Sequence, residues 1–349
     1  MKSPEFKIGN KMVGSKYPPL IIVELGINHN GNFELAKKII LSAKKSGAEI
    51  IKHQTHLPYY EMSEEAKKIV PVHTKESIYK IIEKCSLKVS EEKKLKQFVE
   101  SQNLTFISTP FSREAADQLN SMKVKGFKIG SGECNNYPLI EHVCKFKKPI
   151  ILSTGMNDIP SIKIACKIIE RYKVDYALMH TTNLYPTPTN LVRLNSLNEL
   201  KKNFPKAVIG LSDHTADNLT SFAAVALGAS IIEKHFVDSK KIRRGPDISA
   251  SIDAKQLKEL IIGSKKIYSA LPGSKKPVKQ EKDTMKFAFA SVVAIKNIKK
   301  GSKLNKKNIW VKRPGTGDFL AKDYKKLLGK KVLKNIKINT QLKKKHFAN

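Results

Sequence analysis

The first 270 residues alternate short apolar runs with amphipathic helical segments, and the alternation occurs eight times. Strands that alternate with helices imply right-handed βαβ units and a parallel sheet. Eight such units are the number found in a closed (β/α)8 barrel, the TIM barrel. A doubly wound open sheet is the alternative, but no GxGxxG follows the first strand. The predicted strands are residues 20–24, 49–53, 105–108, 126–129, 150–152, 176–179, 207–210 and 230–233.

The alternation ends near residue 270, and this predicts a second, smaller domain. Residues 271–286 contain Pro272, Gly273 and Pro277 among several lysines, which is typical of a linker. Residues 287–349 then show short β-like runs at 290–295, 309–312 and 331–336. We therefore predict an α/β chain with a barrel at 1–270, a linker at 271–286 and a small β-rich domain at 287–349.

Composition excludes some classes of protein. No apolar run has the length that a membrane helix needs, and the first residues lack the apolar stretch of a signal peptide. The four cysteines are widely spaced and form no CxxC pair, as expected for reduced thiols. We therefore expect a cytoplasmic protein with no membrane partner.

The net charge of +34 raises the hypothesis of nucleic-acid binding. The basic residues are mostly lysines spread along the chain, as in the helical segments around Lys37 and Lys201. Nucleic-acid surfaces more often combine clustered arginines with aromatic side chains. We expect no nucleic-acid partner, although such a surface would attract a small anionic substrate.

Polar residues stand where each predicted strand ends, and the clearest example is residues 176–188. An apolar strand runs into His180, Thr181, Asn183 and Tyr185, and a turn with two prolines follows. Prolines cannot donate to a ladder, so the strand must stop there. A capped turn would explain one such segment, but the recurrence at other strands favours a functional mouth at the carboxyl face of the barrel. Residues 54–77 are long for a barrel loop and are predicted to be an insertion over this mouth.

Three lysines stand at strand ends: Lys52, Lys128 and Lys234. A closed barrel has no edge at which a lysine could reach solvent, so we predict that all three converge on a phosphate and a carboxylate. Candidate proton-transfer groups are the carboxylates of Glu24, Glu133 and Asp213.

His214 and His235 follow adjacent predicted strands. Neighbouring strands lie roughly 5 Å apart, which is close enough for two imidazoles to share one divalent ion. Two protein ligands would leave open coordination positions, as Lewis-acid activation of a carbonyl requires. Spacing alone does not decide between this arrangement and an alternative in which one histidine is buried and the other is solvated.

Taken together in order and spacing, these motifs resemble the sialic acid synthases, and the tail around Arg313 resembles their C-terminal SAF (antifreeze-like) domain. The resemblance covers nearly the whole chain. The motifs that carry it are residues 24–31, 52–54, 108–111, 128–133, 153–156, 185–188, 210–215, 233–236, 245–247 and 312–315.

The resemblance implies a reaction in which phosphoenolpyruvate condenses with an open-chain N-acetylated aldohexose. It also implies a divalent metal, most often Mn²⁺ with Mg²⁺ or Co²⁺ as alternatives, held by His214 and His235. Carboxylates near the reacting carbons correspond to Glu24 and Glu133. The matching phosphoenolpyruvate-binding set is Lys52, Thr109, Lys128, Ser131, Ser153, Asn183, Tyr185 and Ser212.

The resemblance further places Gln54 and Asp247 toward the sugar, and Arg313 in the site of a neighbouring subunit, which implies a domain-swapped homodimer. Residues 52–56, 132–137 and 245–248 resemble a bacterial subgroup that makes N-acetylneuraminate. We therefore expect N-acetylmannosamine as the acceptor, with specificity residing around His53, His56, residues 57–74 and Ile248. Synthases of N,N'-diacetyllegionaminate or pseudaminate, which use a 2,4-diacetamido sugar, are the alternative. The alternative from a different functional class is a binding protein, in which the barrel has lost its catalytic activity.

Overall fold

A computed structural model describes residues 3–71, 76–241, 243, 245 and 247–347. The chain divides into two compact units, Met1–Pro272 and Gly273–Asn349, and each is described by itself below. The division falls inside the predicted linker 271–286. The second part of that segment is not irregular, since a short helix begins at Lys282.

Parallel strands form a closed eight-stranded barrel in the first unit, so the predicted TIM barrel is confirmed. An antiparallel hairpin of β1 and β2 precedes it. The strands are β1 Glu5–Ile8, β2 Lys11–Gly14, β3 Leu20–Glu24, β4 Ile50–Thr55, β5 Thr105–Pro110, β6 Phe127–Ile129, β7 Ile150–Ser153, β8 Tyr176–Thr181, β9 Val208–Asp213 and β10 Ile231–His235. The barrel closes where β10 pairs with β3.

Helices surround the barrel and pack on the outward side chains of its strands, such as Ile21, Val23 and Ile51. Local sequence sets where several of them begin; for example, the Asn32 side chain caps the first helix by accepting from the Leu35 N–H at 2.8 Å. The helices are α1 Phe33–Lys45, α2 Pro58–Glu61, α3 Ile78–Cys85, α4 Val89–Ser101, α5 Arg113–Ser121, α6 Tyr137–Cys144, α7 Ile159–Arg171, α8 Ser196–Asn203, α9 Leu219–Ala226 and α10 Ala254–Ala270. Within the described residues, no helix is long and apolar enough to cross a membrane.

Several strands extend further than the sequence predicts. Predicted ends at residues 179, 210 and 233 move to Thr181, Asp213 and His235. The reason is that parallel pairing continues through the polar residues, as in the pair of Thr181 with Ser212. Some of the polar groups, such as Thr181, Ser212 and His235, therefore stand on paired strands. Others, such as Ser131 and Asn183, follow just beyond a strand end.

The interior of the barrel is apolar at the amino-terminal end of the strands. Ile22, Ile50 and Ile107 are fully buried there. Phe6 and Ile8 of the β1–β2 hairpin join the same buried cluster and close this end. The hairpin is not among the strands that the sequence predicts. Its four-residue strands carry no long alternating pattern that would separate them from a loop.

The second unit has a small core of its own around Val292, Ile309 and Leu327. Its elements are α11 Lys282–Ala288, β11 Ser291–Ala294, β12 Ile309–Lys312 and α12 Tyr324–Leu327. Strands β11 and β12 pair antiparallel. The third predicted run, 331–336, makes only isolated bridges, through Lys331 and Ile336. The prediction of a strand there is wrong, because each end of the run pairs with a different segment.

Candidate active site

Strand alternation turns the barrel interior from apolar to polar toward the carboxyl ends. On β4, for example, Ile50 faces inward at the apolar end, and Lys52 and Gln54 follow on the same face. The inward groups surround a cleft of about 300 Å³. Its lining includes Gln54, Thr109, Lys128, Ser131, Glu133, Ser153, Thr181, Asn183, Tyr185, Ser212, His214, Glu233 and His235.

Buried lysines and carboxylates meet at the floor of this cleft, where Lys128 and Glu233 line it and Lys52 lies next to Glu233. Lys52 Nζ contacts a Glu24 carboxylate oxygen and lies 3.4 Å from Glu233 Oε1. Lys128 Nζ lies 3.7 Å from the same Glu233 oxygen and donates to Ser153 Oγ at 2.5 Å. Glu233 is therefore a counter-ion common to both lysines.

Burial and charge pull the ionisation of this cluster in opposite directions. Burial lowers the pKa of Lys52 to about 8, although the neighbouring Glu233 opposes that shift. Burial alone would raise the pKa of Glu233, but Lys128 and Lys52 outweigh it and bring the pKa to about 2. These shifts favour the ionised form of Glu233, and they make the Lys52 ammonium easier to deprotonate than that of an exposed lysine.

Hydroxyl and amide groups stand beside the lysines. Ser131 Oγ accepts from the Gly155 backbone N–H at 3.1 Å. A side chain at Gly155 would collide with Asn183 Oδ1, so glycine lets these loops approach closely. Asn183 Oδ1 is buried without a hydrogen-bond partner, and so is Glu233 Oε2. Orphaned buried polar atoms of this kind are costly unless something else satisfies them, which indicates a ligand site.

His214 and His235 meet at the edge of the cleft, with ring centroids 5.3 Å apart. Burial lowers the pKa of each ring to about 3, with His235 adding to the shift of His214 and Lys52 to that of His235. Both imidazoles are therefore neutral, the form that binds metal. His214 Nδ1 donates to the Thr182 carbonyl at 3.0 Å, and this directs its Nε2 lone pair elsewhere.

A divalent metal is compatible with these two rings. His235 Nδ1 is buried without a hydrogen bond, and the Asp247 carboxylate lies 3.4 Å away. The described residues contain no group of three or more histidine, cysteine, aspartate or glutamate side chains arranged to hold a metal. The assignment of His214 and His235 as the two metal ligands of an open site stays a prediction.

Glu133 is the candidate proton donor. Burial raises the pKa of its carboxyl to about 7, with Glu61 as a further charge that favours the neutral form. Its Oε2 is buried without a partner. A carboxyl group that exchanges a proton near neutral pH and lines the cleft is suited to general acid–base catalysis.

Asp213 and Lys234 were predicted to face the cleft, and the structure places both elsewhere. They lie on the outward face of β9 and β10, where Lys234 Nζ is 3.2 Å from Asp213 Oδ2. Asp213 also accepts from the hydroxyls of Thr220 and Ser221. The prediction that three lysines converge on the cleft is therefore wrong for Lys234. Its pairing with Asp213 gives Asp213 a structural role.

Glu233 lines the cleft but is not among the predicted site residues. The two-residue period of a strand could have found it, since residues 233 and 235 share a face and residue 234 does not. The same rule separates Ser212 from Asp213.

Five predicted site residues do not belong to the cleft lining: Glu24, Lys52, Asp213, Asp247 and Arg313. Asp247 Oδ2 accepts from the Ile27 backbone N–H at 3.5 Å and lies near His235, and burial raises the pKa of Asp247. Arg313 is exposed in the second unit. Pro246 and residues 72–75 of the predicted insertion lie outside the described residues.

The fold and the cleft are those of a barrel with a polar, charged site at the carboxyl ends of its strands, and comparison with known proteins identifies its family. The NeuB family profile matches residues 39–276, and the SAF domain profile matches residues 289–348. The chain belongs to the NeuB family. The predictions of a synthase of the sialic acid synthase family and of a C-terminal SAF domain are confirmed.

Relatives differ in the sugar acid that they make. The N,N'-diacetyllegionaminic acid synthase of Campylobacter jejuni is 40% identical over 91% of this chain and 97% of its own length. The pseudaminic acid synthase of Helicobacter pylori is 34% identical over 93% and 96%. A crystal structure of N-acetylneuraminic acid (sialic acid) synthetase from Leptospira borgpetersenii in complex with citrate is similar with a TM-score of 0.74 at 28% identity, over 81% of this chain and 95% of that one.

The placement of Asp213 yields a stability prediction. Asp213→Asn removes the counter-charge of Lys234, whose side chain is fully buried, and should lower the free energy of unfolding by about 3 kcal/mol. Urea denaturation followed by circular dichroism measures the change, and Asp117→Asn on the exposed face of α5 is the control. If Asp213→Asn keeps its stability but loses substrate binding, the structural role is wrong and Asp213 acts in the site.

Proposed function

We propose that this chain condenses phosphoenolpyruvate with an open-chain N-acetylated aldohexose and water, giving a nine-carbon 2-keto acid and phosphate. One observation supports it above all: a cleft lined by Lys128 and two neutral histidines, with Lys52 buried next to it and sharing Glu233 with Lys128. An anion bound on the lysines lies beneath an aldehyde bound nearer the rim, so the two reacting carbons can approach each other.

The floor suits phosphoenolpyruvate because it combines point charges with hydroxyl donors. The proposed contacts of its carboxylate and phosphate are the lysines together with Thr109, Ser131, Ser153, Asn183, Tyr185 and Ser212. Lys52 and Lys128 already pair with Glu24 and Glu233, so the substrate enters a nearly neutral cluster rather than an unpaired cationic one. Directed donors, and not net charge alone, then fix the substrate's orientation.

The proton balance assigns the carboxyl groups. C3 of the enol attacks the aldehyde carbon, and the aldehyde oxygen takes a proton to become a hydroxyl group; Glu133 is the donor we propose. Water then adds to C2 and gives up a proton, for which Glu24 is the proposed acceptor. The C2–O bond to phosphate finally breaks as the C2 hydroxyl group becomes the keto group, and the departing phosphate takes the hydroxyl proton.

His214 and His235 are the proposed metal ligands, with Mn²⁺ as the expected ion. When bound, a divalent cation there would polarise the aldehyde of the sugar as a Lewis acid. Thr182 holds His214 in the required tautomer, and Tyr185 stacks on the same ring at a centroid distance of 4.2 Å.

N-acetylmannosamine is the acceptor that we propose, giving N-acetylneuraminate. The support is the resemblance of residues 52–56, 132–137 and 245–248 to the N-acetylneuraminate-forming subgroup. The 40% identity to the Campylobacter jejuni enzyme favours a second candidate, the 2,4-diacetamido sugar that leads to N,N'-diacetyllegionaminate.

Metal removal tests the histidine assignment. Chelator should abolish turnover, added Mn²⁺ should restore it, and His214→Ala or His235→Ala should lower kcat by at least about 100-fold, equivalent to several kcal/mol of lost stabilisation. His142→Ala, which changes a histidine on outer helix α6, is the control. Full activity in chelator, with no metal detected by elemental analysis, would contradict the assignment.

Phosphate release with different sugars tests the acceptor. We expect N-acetylmannosamine to exceed the 2,4-diacetamido sugar in kcat/KM by at least about tenfold, because a site built for a hydroxyl discriminates against an analogue that lacks it. A better rate with the diacetamido sugar would overturn the acceptor and leave the reaction class standing.

Chain mixing tests the predicted domain-swapped dimer. If Arg313 serves the partner's barrel, heterodimers of inactive Arg313→Ala and Lys128→Ala chains should regain activity, since each contains one intact site. Heterodimer formation is verified by mass spectrometry. Verified heterodimers that stay inactive would show that Arg313 does not act in the partner's site.

A further inference from the structure

A chain of hydrogen bonds joins the insertion after β4 to the lining of the cleft. His56 Nδ1 lies 3.0 and 3.2 Å from the two carboxylate oxygens of Glu61, which ends helix α2. His56 Nε2 lies 3.1 Å from the side-chain oxygen of Gln54. Gln54 lines the cleft, so the bonds run from Glu61 through His56 to the binding surface.

The link is held rigidly. The side chains of His56 and Glu61 are each only 6% exposed. The His56 ring stacks on Phe111 with centroids 4.2 Å apart and planes 11° apart, and Phe111 also lines the cleft. The Leu57 backbone N–H donates to Glu61 at 3.2 Å. Stacking fixes the plane of the imidazole, and the contact with the Glu61 carboxylate fixes how the ring is turned within that plane.

This geometry determines what Gln54 offers to a ligand. A carboxylate can only accept, so Glu61 requires a proton on His56 Nδ1. The Gln54 oxygen likewise accepts, and this requires a proton on Nε2. With its oxygen engaged by the ring, Gln54 is left with its NH₂ group, a pure donor, for the cleft.

We infer that Glu61 and His56 are positioning residues that lock the Gln54 amide as a hydrogen-bond donor and thereby set the selectivity for the acceptor sugar. The inference rests on the proposed function, since it assigns the reading of the sugar to Gln54. A locked donor favours an acceptor oxygen of the sugar at that point. Without the Glu61 charge, a His56 ring that keeps one proton on Nδ1 presents a lone pair at Nε2, and the amide turns its oxygen to the cleft.

Glu61→Gln is the decisive variant, because it keeps an acceptor for Leu57 and for Nδ1 while removing the charge. We expect the sugar KM to rise about tenfold, the effect of losing one charge-assisted hydrogen bond, with the KM for phosphoenolpyruvate nearly unchanged. The ratio of kcat/KM between N-acetylmannosamine and the 2,4-diacetamido sugar should change as well. Glu64→Gln, an exposed carboxylate on the same insertion that pairs with Lys67, is the matched control.

A double-variant cycle separates positioning from general structural support. In a Gln54→Ala background, Glu61→Gln and His56→Phe should have no further effect on the sugar ratio, because both act through the missing amide. The inference is overturned if Glu61→Gln leaves the sugar ratio unchanged, or changes it equally with and without Gln54.

A spectroscopic readout separates this inference from the proposed function. In the full-length wild type, ¹⁵N chemical shifts of the His56 ring should show both nitrogens protonated, and Glu61→Gln should shift at least one of them. Absence of turnover with every sugar tested would refute the proposed function. His56 ring chemical shifts that are the same in wild type and Glu61→Gln would instead refute the role of Glu61 in positioning His56.

Discussion

The shared pairing of Lys52 and Lys128 with Glu233 is the constraint on which the rest of the site depends. Each buried ion carries a desolvation penalty of several kcal/mol, and two ammonium groups in one closed barrel would also repel each other. Glu233 lies within 3.4 and 3.7 Å of them and relieves both costs. Glu24 adds a second anion on the other side of Lys52.

This cluster explains why its four charged residues stand on strands rather than on loops: Glu24, Lys52, Lys128 and Glu233. A charged floor is tolerable only if every partner is held within bonding distance, and parallel pairing up to Thr181 and His235 provides that rigidity. Below it, Ile22, Ile50 and Ile107 exclude water from one side. The low-dielectric surroundings strengthen each pair, and they are the source of the shifted pKa values of Lys52 and Glu133.

Much of this arrangement could be predicted from the sequence, because it follows from local periods. The eight strand–helix units and the polar strand ends identified the barrel and its functional face. The errors at Asp213 and Lys234 came from treating a strand end as a cluster, when alternate residues point in opposite directions. The role of Glu61 could not be predicted in this way. It depends on how the insertion folds back onto β4, and no short-range pattern encodes that contact.

The hairpin that closes the amino-terminal end of the barrel gives the molecule two unlike ends. Five-residue strands such as β3, about 17 Å long at roughly 3.3 Å a residue, run between these ends at a tilt. Glu5 begins the hairpin at the end away from the cleft. An immobilisation tether attached ahead of Glu5 would therefore hold the barrel unit by the end opposite its cleft.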